Sequence, residues 1–138
     1  MIKILIILFL ITTFSFADDC DKRASIFNML VKSISSKTYP NIYMHKNIKS
    51  LEKNSKDLNL IKVCKDADVV LLSTIKNIPK DCDGKILFGT KYSHLKNKNV
   101  VGAFFWQKGR PNILFYKNRL KKYNIKLPAK FDKYIEVE

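Results

Sequence analysis

A chain of 138 residues with a formal net charge of +14 has the length of one domain, enough to bury a core but not to hold several modules. Such a charge points to nucleic acid, an anionic membrane or an acidic partner. The excess is nearly all lysine, however, spread from Lys22 to Lys133 rather than gathered in a block, which is the mark an AT-rich coding sequence leaves on any surface.

The chain opens with Met1-Ile2-Lys3, an unbroken apolar run from Ile4 to Ile11, and Ser15-Phe16-Ala17. A basic head, a hydrophobic core and small residues at −3 and −1 are the layout of a secretory signal peptide, with cleavage expected after Ala17. Ile4 to Phe16 is too short to span a hydrocarbon core, which takes roughly 20 residues. Asp18 and Asp19 occupy positions where a lipoprotein cysteine at Cys20 would need small residues. The expectation is a periplasmic chain, not embedded in the membrane, with residues 18–138 forming a single α/β domain. Cytosolic nucleotides, nicotinamide cofactors and the chromosome are out of its reach, so no nucleic-acid partner is expected.

Asp19 and Asp21 are N-cap candidates for an amphipathic helix over about Lys22 to Lys37, on which Ala24, Phe27, Leu30, Val31 and Ile34 form one stripe. Tyr39-Pro40 is expected to end it. Ile42 to His45 reads as a short strand, Ile48 to Ser55 as one or two helical turns, and Asn59 to Val63 as a second apolar run. Asp68-Val69-Val70-Leu71-Leu72-Ser73 is continuous and β-branched, as in a central strand covered on both faces. Pro79 to Gly84 is a turn, Lys85 to Gly89 a strand, and Thr90 to Lys98 a polar loop. Val100 to Trp106 and Asn112 to Tyr116 flank Gln107-Lys108-Gly109-Arg110-Pro111 as a hairpin. Asn118 caps a short helix through Tyr123, and Pro128 opens a terminal helix bearing Phe131, Tyr134 and Ile135. The sum is an α/β fold: a mixed sheet of about five or six strands flanked by helices, with a C-terminal β-hairpin followed by short helices.

Three cysteines, Cys20, Cys64 and Cys82, face an oxidising compartment and allow three pairings. Cys64–Cys82 is the expected pair, because both lie beside core strands while Cys20 is close to a frayed terminus. No CxxC is present, so neither thioredoxin-like chemistry nor a zinc knuckle is supported. His45, at a strand end, and His94, in a lysine-rich loop, stand alone and read as structural or solvated rather than as ligands. Ser73 and Ser93 lack a nucleophile elbow, and Asp66 and Asp68 suit turn capping better than acid–base work. Neither GxxxxGK[ST] nor GxGxxG occurs. No catalytic residue, metal ligand or cofactor is expected, and the chain does not read as an enzyme.

The distinctive segment is Trp106-Gln107-Lys108-Gly109-Arg110-Pro111-Asn112. An aromatic plate, a guanidinium fork and an amide at one hairpin tip suit an anionic ligand or a partner's carboxylate, with Trp106, Lys108, Arg110 and Asn112 as the contacts. The competing reading is a tight turn in which Gly109 supplies positive φ and Trp106 covers the sheet.

The helix at Ala24 to Leu30, the strand near Pro40, Ala67-Asp68-Val69-Val70-Leu71-Leu72-Ser73 and Ile86-Leu87-Phe88 follow one another in a familiar order. They lead to Val101-Gly102-Ala103-Phe104-Phe105, a turn, Asn112-Ile113-Leu114-Phe115, a helix with Asn118 and Leu120, and Asn124-Ile125-Lys126-Leu127-Pro128. In this order the chain resembles the YfiR/HmsC-like family of small periplasmic proteins. The resemblance implies a regulator that binds the periplasmic part of an inner-membrane diguanylate cyclase and represses it, often as a homodimer. The reading from a different class is a small periplasmic solute-binding module for an anionic ligand.

Overall fold

The computed structural model describes residues 17–53 and 58–138, with side chains from Lys22 onward. The expected signal segment therefore lies almost entirely outside the described residues, as do the Cys20 side chain and the end of the Ile48–Ser55 turn. Helix α1 runs Ala17–Ser35, strand β1 Asn41–His45, helix α2 Lys49–Lys53, β2 Asn59–Ile61, β3 Val69–Leu72, β4 Ile86–Gly89, β5 Val100–Gln107, β6 Arg110–Tyr116, α3 Lys117–Lys122 and β7 Ile135–Glu136. Four 3-10 turns, Cys64–Asp66, Lys80–Cys82, Tyr92–Lys96 and Ala129–Tyr134, fill the connections. Together they build one α/β domain around a mixed sheet. No helix among the described residues is long and apolar enough to cross a membrane.

The sheet has seven strands in the order β2-β1-β3-β4-β5-β6-β7, against the five or six expected. The first five in that order are parallel; β6 runs antiparallel to β5, and β7 parallel to β6. The unforeseen strand is β7. Two residues are too few to carry an alternating pattern, and they become a strand because Phe115 and Tyr116 offer them an edge.

Two apolar layers sandwich the sheet. Phe27, Leu30, Val31 and Ile34 of α1 pack with Val69, Leu71, Phe88, Phe104 and Phe115 on one face. On the other face Cys64, Ala67, Cys82 and Leu95, all from turns, cover Val70, Leu72, Leu87 and Phe105. Every residue of β3 is fully buried, as its unbroken apolar run predicts. The chain leaves β1 through α2 towards β2 and returns through the Cys64–Asp66 turn towards β3. Leu51 of α2 joins the α1 layer, whereas Cys64 joins the opposite one. The β1-to-β2 and β2-to-β3 connections step in opposite directions along the sheet and cover opposite faces, as right-handed crossovers require.

Several local expectations are corrected. Helix α1 begins at Ala17, ahead of the candidate caps Asp19 and Asp21. It stops at Ser35, before Tyr39-Pro40, because Ser36 takes a left-handed conformation (φ 56°) that ends the helical hydrogen bonding. Thr90 to Lys98 is not an open polar loop. It holds the 3-10 turn Tyr92–Lys96, which buries His94 and Leu95. Tyr116, not Asn118, occupies the cap position of α3, and the Asn118 amide donates to Glu138 instead. The hairpin link is two residues rather than five. Lys108 (φ 52°) and Gly109 (φ 71°) both lie in the left-handed region, as a type I′ turn demands. Arg110 then pairs with Gln107 and Pro111 with Trp106. Pro111 is tolerated because its nitrogen points away from β5 at a level β7 does not reach.

Polar clamps lock the strand ends. The Asp68 carboxylate accepts from Lys37 Nζ at 2.6 Å and from the Asn41 N–H at 2.7 Å, fastening the loop after α1 to the start of β3. Burial pushes Asp68 up, but these two donors, with the fields of Lys37 and Lys85, outweigh it and hold the carboxyl below its usual value. At the other edge Arg119, only 4% exposed, donates through Nη1 to the carbonyls of Leu95, Asn97 and Val100. Its Nη2 meets Glu138 at 2.6 Å, and its guanidinium lies over the Tyr116 ring at 4.5 Å. Arg119, then Lys98 and Asn118, hold the Glu138 carboxyl far below the ordinary range.

Cys64 and Cys82 form the expected disulfide, with their Cα atoms 5.1 Å apart. It ties two short turns that have no helix to anchor them, on the face opposite α1. Closing a loop of this length restricts the unfolded chain by about 3 kcal/mol. Replacing both cysteines by alanine is therefore expected to lower the unfolding free energy by about that amount. Urea titration of the oxidised protein and the double variant checks this, and coincident curves would contradict it.

Candidate functional site

The strand order β2-β1-β3-β4-β5 reverses direction at β1, with β2 on one side and β3 on the other. In open parallel sheets a crevice forms outside the carboxyl ends of the strands near such a reversal. A cleft of about 440 Å³ lies there. Ile48 and Ser50 follow β1, Ser73 follows β3, Thr90 follows β4, and Trp106 and Gln107 close β5.

The cleft straddles the end of the sheet. From the α1 side come Arg23, Phe27, Phe104 and Trp106; from the other come Lys91, Tyr92 and Phe105. Phe104 packs edge-on against Phe27 at 5.0 Å and against Trp106 at 5.8 Å, so the wall is continuous with the core. Trp106 stays 44% exposed, with the Arg23 guanidinium carbon 4.7 Å from its ring centre. Tyr92, 58% exposed, meets the Phe105 ring edge-on at 5.6 Å. Two of the five large hydrophobic side chains exposed among the described residues thus line one cleft. Its charged lining residues are Arg23 and Lys91, with no carboxylate among them.

Both histidines are buried and bonded to backbone, His94 directly to the cleft residue Thr90. His45 Nε2 donates to the Lys76 carbonyl at 2.7 Å. His94 Nδ1 accepts the Thr90 N–H at 3.0 Å, and the Thr90 hydroxyl donates to the Leu72 carbonyl at 2.7 Å. The Ser73 hydroxyl donates to the carbonyls of Lys46 and Asn47 at 3.3 and 3.2 Å.

The hairpin residues chosen from sequence do not form one site. Residues directly opposed in an antiparallel pair share a face, and neighbours along a strand alternate. Trp106 therefore shares a face with Pro111, whereas Arg110 and Asn112 share the opposite face with Gln107 and Phe105. Trp106 lines the cleft; Lys108, Arg110 and Asn112 do not. Lys108 and Arg110 are exposed at the tip, and the Asn112 amide donates to the Arg110 carbonyl at 3.0 Å. Arg23, Lys91 and Tyr92 escaped the sequence reading. The three arginines are rare among the lysines, and that scarcity was the available signal for Arg23. Among the described residues, one group of potential metal ligands gathers, Cys64, Asp81 and Cys82, and its two thiols are already joined. Comparison with known proteins finds no matching family model, curated protein or solved structure.

Burial, then the Lys91 charge, holds His94 below its ordinary value of 6.5. Protonation would also remove the lone pair that Thr90 uses. The folded form binds the proton less well than the unfolded chain, so this stabilisation is complete above pH 6.5 and is lost as pH falls through the lower folded value. Melting temperature is expected to fall between about pH 7 and pH 5, and His94→Asn, whose Oδ1 can accept the same N–H throughout, to flatten the slope. Identical slopes for the two proteins would contradict the assignment.

Proposed function

We propose that this protein is an exported, non-enzymatic regulator that works by binding, acting on the periplasmic part of an inner-membrane signalling protein such as a diguanylate cyclase. The observation that carries the binding reading is the cleft at the carboxyl ends of β1, β3, β4 and β5, with two exposed rings and two cations around it. The disulfide is compatible with life outside the cytoplasm. The layout of the first 17 residues supports export, and the resemblance in element order to YfiR/HmsC-like proteins supports the choice of partner.

The partner contact is assigned to the hairpin tip. The two-residue turn between long strands fixes the backbone at Lys108 and Arg110, so docking orders side chains but little main chain. Arg110 offers a bidentate fork to a carboxylate, and Lys108 adds attraction that salt weakens. The division of faces lets the tip meet a protein while the cleft stays open. The second reading, a solute-binding module for an anion, is favoured by the cationic lining of the cleft, now centred on Arg23 and Lys91 rather than on the hairpin.

The tagged chain is expected to capture an inner-membrane protein with a periplasmic domain and a cytoplasmic cyclase domain from solubilised membranes. Arg110→Ala should weaken binding of that purified periplasmic domain at least about tenfold without changing the melting temperature. Unchanged affinity would move the contact off the hairpin, and capture of a permease instead would favour the solute-binding reading.

A further inference from the structure

We infer that the cleft binds a small planar aromatic anion that also carries a hydrogen-bond donor, a hydroxyaryl carboxylate being the simplest member of the class. The inference rests on the reading that the protein works by binding, and it names what the cleft takes. About 440 Å³ lies near the lower end of small-molecule sites, which suits one or two fused rings. Trp106 and Tyr92 offer apolar ring surface from opposite sides of the sheet end, and flat ligands bury such surface at small entropic cost. A carboxylate reaching Arg23 meets a guanidinium already held over the Trp106 ring. With Lys91 as the second cation and no lining carboxylate, the cleft favours anions over neutral or cationic rings.

The donor requirement comes from the hydroxyls. Thr90 Oγ1 and Ser73 Oγ spend their protons on the carbonyls of Leu72, Lys46 and Asn47. What they can still present to the cleft is lone pairs. A ligand with a phenolic or amino donor pairs with them directly, whereas one with only acceptors forgoes these bonds and must exclude or share the water that would make them.

Trp106 is the one tryptophan of the chain, so its fluorescence reports on the cleft directly. Titration of the full exported chain at low ionic strength with 4-hydroxybenzoate is expected to give a saturable change. Benzoate, which lacks the donor, and 4-hydroxybenzyl alcohol, which lacks the charge, should each bind at least about tenfold more weakly. Arg23 is an exposed helix residue, so Arg23→Gln should keep the melting temperature and lose at least about tenfold in affinity for the acid, but not for the alcohol. Tyr92→Ser should weaken all three. Equal affinities for the three probes, a response unaltered in Arg23→Gln, or no saturable response would overturn the inference. Partner capture is run without any small molecule, so loss of this signal with intact capture removes the ligand and leaves the regulatory reading standing.

Discussion

Strand β3 has no accessible surface on either face, and satisfying that two-sided burial organises the rest of the molecule. A parallel strand in the middle of a sheet must be covered above and below, since its apolar residues alternate between the faces. Helix α1 supplies one cover with a single stripe from Ala24 to Ile34. The other cover has no long helix. It is made of short 3-10 turns, which contribute few hydrogen bonds and little area each, so it depends on cross-links: the Cys64–Cys82 disulfide and the buried Arg119, which gathers three carbonyls around the Tyr92–Lys96 turn.

The same arrangement creates the cleft. Parallel strands deliver all their carboxyl ends to one edge, and the connections that leave them part on either side at β1. The turns after β3 and β4 are held by a histidine-to-carbonyl bond at Lys76, an amide-to-histidine bond at Thr90 and a hydroxyl-to-carbonyl bond from Thr90, which fix the cleft wall at Thr90 from within. Strand β5 links this region to the hairpin: its residue Trp106 lines the cleft, and the turn that follows carries Lys108 and Arg110. A ligand against Trp106 therefore sits within a few residues of Lys108 and Arg110, though the strand alternation keeps it on the other face from Arg110.

Elements that carry their own signal were legible in the sequence. The continuous apolar run of β3, the helical spacing of Phe27, Leu30, Val31 and Ile34, and the two runs around Lys108-Gly109 each specify local structure without help from the rest of the chain. What escaped was set by tertiary contact. Ile135–Glu136 becomes a strand only because β6 has a free edge, and His94 and Leu95 turn inward because Gly89 and Arg119 receive them. The site escaped for the same reason. Its residues run from Arg23 to Gln107, and only the sheet brings them together. The hairpin heptad looked like one site because it is compact in sequence, but alternation along a strand sends Trp106 and Arg110 to opposite faces.

The central claim, that the end of the parallel sheet is where this protein binds, is tested most directly by a crystal structure grown with a hydroxyaryl carboxylate. The account predicts the ring beside Trp106 and Tyr92, its carboxylate facing Arg23 and its hydroxyl within hydrogen-bond distance of Ser73 or Thr90. A ligand found instead in the lysine-rimmed groove between α3 and β7, with the cleft unchanged, would contradict it.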